Sequence, residues 1–308
     1  MNNRRKFIKQ TLIGSLGLTI LNLIPFRSFA ANKKKYTKIT ILHTNDVHSH
    51  IEPFPTKDPK YPGLGGAARR ATLINKIRSE EKNVLLFDAG DIFQGTPYFN
   101  KYKGELDFKL MSLMQYDAAT IGNHDFDNGI EGLNDMLPFA KFPFVNANYD
   151  FKNTVLKDKI HEHITFLKDG VKIGVFGLGV ELDGLVDKKN YEKTIYNNPL
   201  PIANKIAAYL KETEGCQLVI CLSHLGYEHP LNKISDLILA KNTKNIDLII
   251  GGHTHTFLEK PTEIKNLSSA ITLINQVGWA GVNLGRIDFF ITNTNKDYFL
   301  KSENIRVE

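Results

Sequence analysis

The chain has 308 residues, of which 42% are hydrophobic and only two are cysteine, enough to bury one large core or two modest ones. Its formal net charge is +6, but residues 1–30 hold Arg4, Arg5, Lys6, Lys9 and Arg27 and no acid, so the remainder carries six less five, or +1. That balance does not indicate a general polyanion-binding surface, and no nucleic-acid polymer is expected as partner.

Residues 1–30 read as an export signal rather than as part of the fold. MNNRRKFIKQ is basic, TLIGSLGLTILNLI is apolar, and SFA precedes AN, which places cleavage after Ala30. The apolar run is 14 residues long, short of the roughly 20 that a spanning helix needs, so no stable membrane anchor is expected. Arg4-Arg5 followed by Lys6, Phe7, Ile8 and Lys9 resembles the twin-arginine export signal. The resemblance implies a periplasmic protein exported already folded.

From residue 31 onward, short apolar runs alternate with helical patterns. The expected strands are KITILHT, NVLLFDAGD, AATIGNHD, FPFVNAN, KIGVFGLG, LVICLSHLG, IDLIIGGHTH, ITLINQVG and VNLGRIDFFI. Most are rich in Val, Ile and Leu, as strands buried on both faces should be. The expected helices are GGAARRATLINKIRSEEK, ELDFKLMSLMQ, GIEGLNDMLPFA, IANKIAAYLKETE and LNKISDLILAKN. TKDPKYPGLGG and ELDGLVDKKNYEKTIYNN read as loops. The alternation predicts a layered α/β fold, with one domain over residues 31–308. Cys216 and Cys221 lie five apart, about 16 Å in an extended chain, too far for a disulfide. They read as small buried apolar residues, with no zinc-site spacing.

The strand ends share one kind of chemistry. Asp46 and His48 follow KITILHT, Asp91 follows VLLFDAG, and Asn123 and His124 follow AATIG with Asp127 just beyond. His224 closes LVICLS, and His253 and His255 follow IDLIIGG. Ligands in an open α/β sheet bind beyond the carboxyl ends of its strands, so these residues are expected to meet at one rim. Gly90, Gly122, Gly251 and Gly252 adjoin the proposed ligands and are expected to supply unusual dihedrals or close backbone approach at the strand exits.

NDVHSH, DAGDIFQGT, IGNHDFDNG, LSHLG and GGHTHT occur in that order over residues 43 to about 261. They resemble the five blocks of the calcineurin-like metallophosphoesterases. TNDVHSH, the DIFQGTPYF extension and GNHDFDNG point to the 5′-nucleotidase branch. The resemblance implies a four-layer sandwich of two mixed β-sheets flanked by helices. It further implies two divalent metal ions. Asp46, His48 and His255 would hold the first, Asn123, His224 and His253 the second, and Asp91 would bridge them. Imidazole, carboxylate and amide ligands with no thiolate suit Zn, Mn, Fe or Co. His124 would stabilise charge on the phosphoryl or leaving group, with Asp127 holding its imidazole. The implied reaction is phosphoester hydrolysis by in-line attack of a hydroxide held between the metals. No motif for an organic cofactor is present in the sequence. His43 and Asn45 read as structural, and His50 and Gln276 carry no assigned role.

Full-length 5′-nucleotidases resemble this chain only over their first part, and their second domain stacks the base between aromatic rings. The substrate is therefore expected to be a small phosphoester, a nucleotide by family, with a separately encoded domain adding specificity. Phe93, Tyr98, Phe99, Phe257 and Trp279 read as core or rim packing rather than as a base clamp. The alternatives are a sulfur-oxidation hydrolase of the same branch and a non-catalytic metal-binding scaffold. The complete donor set, including the GNHD histidine, argues for catalysis.

Overall fold

The computed structural model describes residues 36–230, 233–292 and 298–308. The expected export signal, residues 1–30, lies outside them. The strands are β1 (Tyr36–Thr44), β2 (Val84–Asp88), β3 (Ala118–Ala119), β4 (Tyr149–Asp150), β5 (His163–Lys168), β6 (Val171–Gly179), β7 (Ile195–Tyr196), β8 (Leu218–His224), β9 (Leu248–Gly251), β10 (Thr262–Lys265), β11 (Ile271–Asn275), β12 (Asn283–Thr292) and β13 (Tyr298–Arg306).

All but β4 and β7, which pair with each other, form two large mixed sheets. The first has the order β13-β12-β1-β2-β3, and the second β10-β11-β9-β8-β6-β5. In the first, β1, β2 and β3 run parallel while β12 runs against β1 and β13 against β12. In the second, β6, β8, β9 and β11 are parallel, and β5 and β10 are antiparallel edges.

Alternation along the strands sets the layers. Ile39, Ile41, Leu85 and Phe87 of the first sheet join Val175, Ile220, Leu222, Leu248 and Ile250 of the second in one core between the sheets. Side chains of opposite parity serve the outer faces, as a two-residue period requires. Leu42 and Leu86 pack outward with Ile74, Phe108 and Leu133. Phe176, Val219 and Cys221 pack outward with Ala203, Ile206 and Leu239. The outer partners come from the helices Ala67–Glu80, Glu105–Leu113 and Gly129–Met136 on one side. Pro199–Ala208 and Asp236–Lys241 cover the other. The result is the expected helix-sheet-sheet-helix sandwich. Both cysteines are buried and free. Among the described residues no helix is long and apolar enough to cross a membrane.

Several elements differ from the sequence reading. FPFVNAN forms only isolated bridges, Ala119 to Phe144 and Val145 to His161. Pro143 has no N–H to give a ladder. The Asn148 side chain, not its backbone, pairs with Gly179, donating to its carbonyl at 2.9 Å and accepting its N–H at 2.7 Å. The last expected helix starts in residues outside those described; residues 233–235 are not helical, and the helix begins at Asp236, where the Ser235 side chain accepts the Ile238 N–H and caps it. The expected helix IANKIAAYLKETE is α-helical only to Ala208 and then widens into a π turn over Tyr209–Thr213. The expected loop after β6 contains a helical turn, Lys188–Tyr191, and strand β7.

Candidate metal centre

The parallel strands of both sheets end at one rim. Thr44 pairs with Asp88 at the exits of β1 and β2, and Gly179 pairs with His224 at the exits of β6 and β8. The proposed ligands sit at these strand ends and on the turns just beyond. Asp46, His48 and His255 bring ligand atoms within 4.8 Å of one another, and so do Asp91, His224 and His253.

Asp91 stands between the two sets. Its Oδ2 is 3.1 Å from His224 Nε2 and 3.8 Å from His48 Nε2. Asp46 Oδ1 is 3.5 Å from His255 Nε2 and 4.0 Å from both His48 and His224 Nε2. Asn123 Oδ1 lies 2.8 Å from His253 Nδ1, which brings the amide to the second set. All seven sequence-predicted ligands are therefore gathered in one place.

Ring tautomers are set from behind. His48 Nδ1 is 3.0 Å from the Phe93 carbonyl and His224 Nδ1 is 2.7 Å from the Ala89 carbonyl. A carbonyl only accepts, so both Nδ1 atoms carry hydrogen and both Nε2 atoms are turned toward the centre.

These donors fit divalent ions. His224 Nε2 is fully buried and makes no hydrogen bond, despite its nearness to Asp91. Burial pushes the His48 imidazole down, and burial with the His224 charge lowers His253 to about 4; both shifts favour the neutral ring that a ligand must present. Burial also pushes His224 down, but Asp91 and Asp46 outweigh it and raise the ring to about 10. Burial likewise pushes Asp91 up, and the charges of His224, His48 and His124 reverse it, holding the carboxyl well below the usual range. Buried carboxylates that draw a proton onto a histidine call for positive charge between them.

The backbone here departs from expectation in one respect. Gly90 has φ 87, but Gly122 and Gly252 do not have positive φ. The ligands themselves take the left-handed conformation: Asp46 (φ 50), His48 (φ 50), Asp91 (φ 55), His253 (φ 72) and His255 (φ 51). Such backbone in non-glycine residues persists only where the surroundings over-determine it. Gly122 serves close approach instead, since a Cβ there would lie 2.2 Å from Asp91 Oδ1.

Three supporting residues have roles that the sequence does not announce. Asp125 is fully buried and accepts N–H groups from Asp91 (3.1 Å), Ile92 (2.9 Å), Phe93 (3.1 Å) and Gly122 (2.8 Å), tying the β2 and β3 exits together. Burial and the neighbouring Asp91 push its carboxyl up to about 7, against those donors. Its one signal is its place as the fourth residue of GNHD. Gln276 donates to the Gly252 carbonyl at 2.6 Å and accepts from Thr254 and from the Thr256 N–H, shaping the turn that carries His253 and His255. Trp279 lies flat against the His255 ring, with centroids 5.7 Å apart and planes 7° apart, and its indole N–H donates to Tyr61. Asn45 joins the β1 exit to the Gly278 carbonyl and the Val277 N–H. His43 is buried against Asn275, as a structural residue.

His124 stands beside the ligands. Its ring centroid is 5.4 Å from that of His48, and its Nδ1 is 2.9 Å from Asp127 Oδ2. The Asp127 hydrogen bond raises its pKa against the pull of partial burial. The pair is part-exposed, where most of the ligands are buried.

Known proteins match this arrangement. Residues 39–257 fit the calcineurin-like phosphoesterase family. The trifunctional nucleotide phosphoesterase YfkN of Bacillus subtilis is 36% identical over 81% of this chain and 18% of its own length. The snake venom 5′-nucleotidase of Naja atra is 37% identical over 72% of this chain and 42% of its own. The crystal structure of the 5′-nucleotidase precursor of Thermus thermophilus superposes with a TM-score of 0.80 at 31% identity, covering 88% of this chain and 54% of that one. The chain thus spans less than half the length of those two curated relatives. The family match, the two-sheet sandwich and the paired ligand sets at its rim together make this chain a member of the calcineurin-like phosphoesterase family, related to the 5′-nucleotidases.

Proposed function

We propose that the chain hydrolyses small phosphoesters, nucleoside monophosphates among them, at a two-metal centre. The observation that carries this is Asp91, whose Oδ2 lies within 4 Å of a histidine from each ligand set. Asp46, His48 and His255 would hold one ion, Asn123, His224 and His253 the other, and Asp91 would be shared. When bound, the ions supply Lewis-acid stabilisation of the phosphoryl group and an activated water at neutral pH.

The protein's own groups do the rest. The Phe93 and Ala89 carbonyls keep the His48 and His224 rings facing inward. Asp125 holds the Asp91 turn in place. The Asp127 hydrogen bond favours the protonated His124 ring, which would donate to a phosphoryl oxygen as negative charge builds there. The rim is open to solvent on the His255 side, where that ring is 41% exposed, so a substrate reaches the centre from there.

The phosphoester reading is preferred over the sulfur-oxidation and scaffold alternatives. YfkN, the Naja atra enzyme and the Thermus thermophilus precursor are all named for nucleotide chemistry, and His124 and Asp127 stand paired. A separately encoded domain that adds base selectivity, and delivery to the periplasm through the twin-arginine signal, belong to the same proposal. The test is hydrolysis of 4-nitrophenyl phosphate and adenosine monophosphate by the purified chain, with and without a chelator. Turnover of both that chelation abolishes is expected. No turnover of any phosphoester by manganese-, zinc- or cobalt-loaded protein would overturn the reading.

A further inference from the structure

The imidazoles of the centre are not all held in the same way. His48 and His224 each give an Nδ1 hydrogen to a backbone carbonyl, at 3.0 and 2.7 Å. His253 has Asn123 Oδ1 at 2.8 Å from its Nδ1. His255 has no such tie. Among the described residues its ring nitrogens meet only His48 Nε2, at 3.0 Å, and Asp46 Oδ1, at 3.5 Å, and both contacts belong to the Nε2 that faces the centre. It is also the exposed member of its set, at 41% against 5% for His48. A ligand imidazole needs its plane fixed from behind, and a hydrogen bond at the other ring nitrogen is the usual means. The ring's own torsion does not supply this, because rotation about the Cβ–Cγ bond of histidine is broad.

Trp279 stands where that tie is missing. Its ring and the His255 ring have centroids 5.7 Å apart and planes 7° apart, an offset stack. Rotation about the His255 Cβ–Cγ bond would tilt the imidazole out of that plane, so the stack blocks the motion that swings Nε2 off the centre. The indole is itself held. Its N–H donates to the Tyr61 hydroxyl at 3.1 Å, and its ring packs edge-on against Phe54 and Tyr61, with centroids 6.0 and 6.1 Å away. The backbone on either side is pinned to both ligand turns. The Gly278 N–H donates to the carbonyl of Thr256, the neighbour of His255, at 3.0 Å, and the Ala280 N–H donates to the Asp46 carbonyl at 2.8 Å. The turns that place Asp46 and His255 therefore also place the indole face.

We propose that Trp279 is the positioning residue for His255, its flat face doing for the exposed ligand what backbone carbonyls do for His48 and His224. The proposal rests on the two-metal reading for what His255 binds, and on the stack for how the ring is held. It makes the hold on one ion of the pair depend on an aromatic side chain in the connection between β11 and β12 that touches no ion itself.

The test is a calorimetric titration of the metal-free full chain with manganese, read beside proton NMR of the histidine rings. Wild-type protein should take two ions and show an Overhauser contact between the His48 and His255 rings, whose centroids are 5.0 Å apart. Trp279→Leu keeps apolar bulk and removes the flat face. It should lose that contact and weaken one ion at least tenfold, the usual cost of removing a group that orients a ligand from behind, while the other ion stays within about threefold. Trp279→Phe keeps a flat face and should retain the contact and both ions. Two ions held by Trp279→Leu at wild-type affinity, two weakened alike, or a Trp279→Phe variant as weak as Trp279→Leu overturns the positioning role and leaves the two-metal reading standing. A wild-type chain that takes fewer than two ions overturns the two-metal reading, and the NMR arm then decides alone. A ring contact that persists in Trp279→Leu refutes the positioning role, and one lost there but kept in Trp279→Phe sustains it.

Discussion

The imidazoles of His48 and His255 face each other with their Nε2 atoms 3.0 Å apart, although 207 positions separate them in the chain. His48 already gives its Nδ1 hydrogen to a backbone carbonyl, so its Nε2 offers a lone pair to the same point that His255 addresses. Two ring nitrogens that converge, with Asp46 Oδ1 at 3.5 Å from one of them, describe a ligand set.

Two equivalents of divalent metal per chain are expected from elemental analysis of reconstituted protein. Asp91→Asn should lower that to one or none, because it removes the shared anion. Two tightly held ions in the variant would disprove the bridging role.

His124→Ala should keep its metal and lose rate. Removing a donor that meets developing charge costs roughly 10²–10³ in kcat, or about 2.7–4 kcal/mol. Asp127→Asn should act in the same direction and more weakly. Turnover close to wild type in His124→Ala would take the residue out of the mechanism.

Asp125→Asn should destabilise the protein as well as the centre. Its carboxylate accepts four backbone N–H groups, and an amide turns one of those acceptors into a donor. A buried N–H left without a partner costs about 1–3 kcal/mol. A lower urea midpoint together with reduced metal content is the expected pairing. A variant with wild-type stability would show that the clamp contributes nothing.

Chelation should lower the melting temperature and readdition of metal should restore it. Five ligands hold left-handed backbone, and a ligand that binds only the folded state at 100 times its Kd adds about 2.7 kcal/mol. Equal melting curves with and without chelator would mean that no ion is held.

Arg4-Arg5 changed to Lys-Lys should leave precursor in the cytoplasm if the basic leader directs folded export. Unchanged export would point to the general secretory route, and cell fractionation distinguishes the two.

Much of the centre is legible in the sequence because metal ligands are few in kind and strand exits are easy to mark. Asp46, His48, Asp91, Asn123, His224, His253 and His255 all reach the rim that their positions predict. The four-layer fold is legible too, because β1, β2, β6, β8 and β9 are nearly continuous apolar runs. The edge strands β5, β10 and β13 are not, since half-exposed sequences such as HITFLK and TEIK carry polar residues through the strand. The left-handed ligands are hidden for a different reason. Dihedral preference is a property of glycine on paper, and only the assembled hydrogen bonds impose it on Asp46 or His253. Trp279 reads as rim packing, which it is, but nothing local shows that the ring it packs against is a ligand.

The placement of β1 in the middle of its sheet has a consequence for the order of assembly. Its partners are β2 on one side and β12, Asn283–Thr292, on the other. Until β12 has been synthesised, β1 remains an open edge, and the turn that bears Asp46 and His48 hangs from a strand paired on one side only. Contacts this distant in sequence form slowly and late. Closure of the turn that bears Asp46 and His48 therefore waits for β12 to pair with β1. A chain ending just before residue 283 would retain every proposed ligand and leave β1 an open edge.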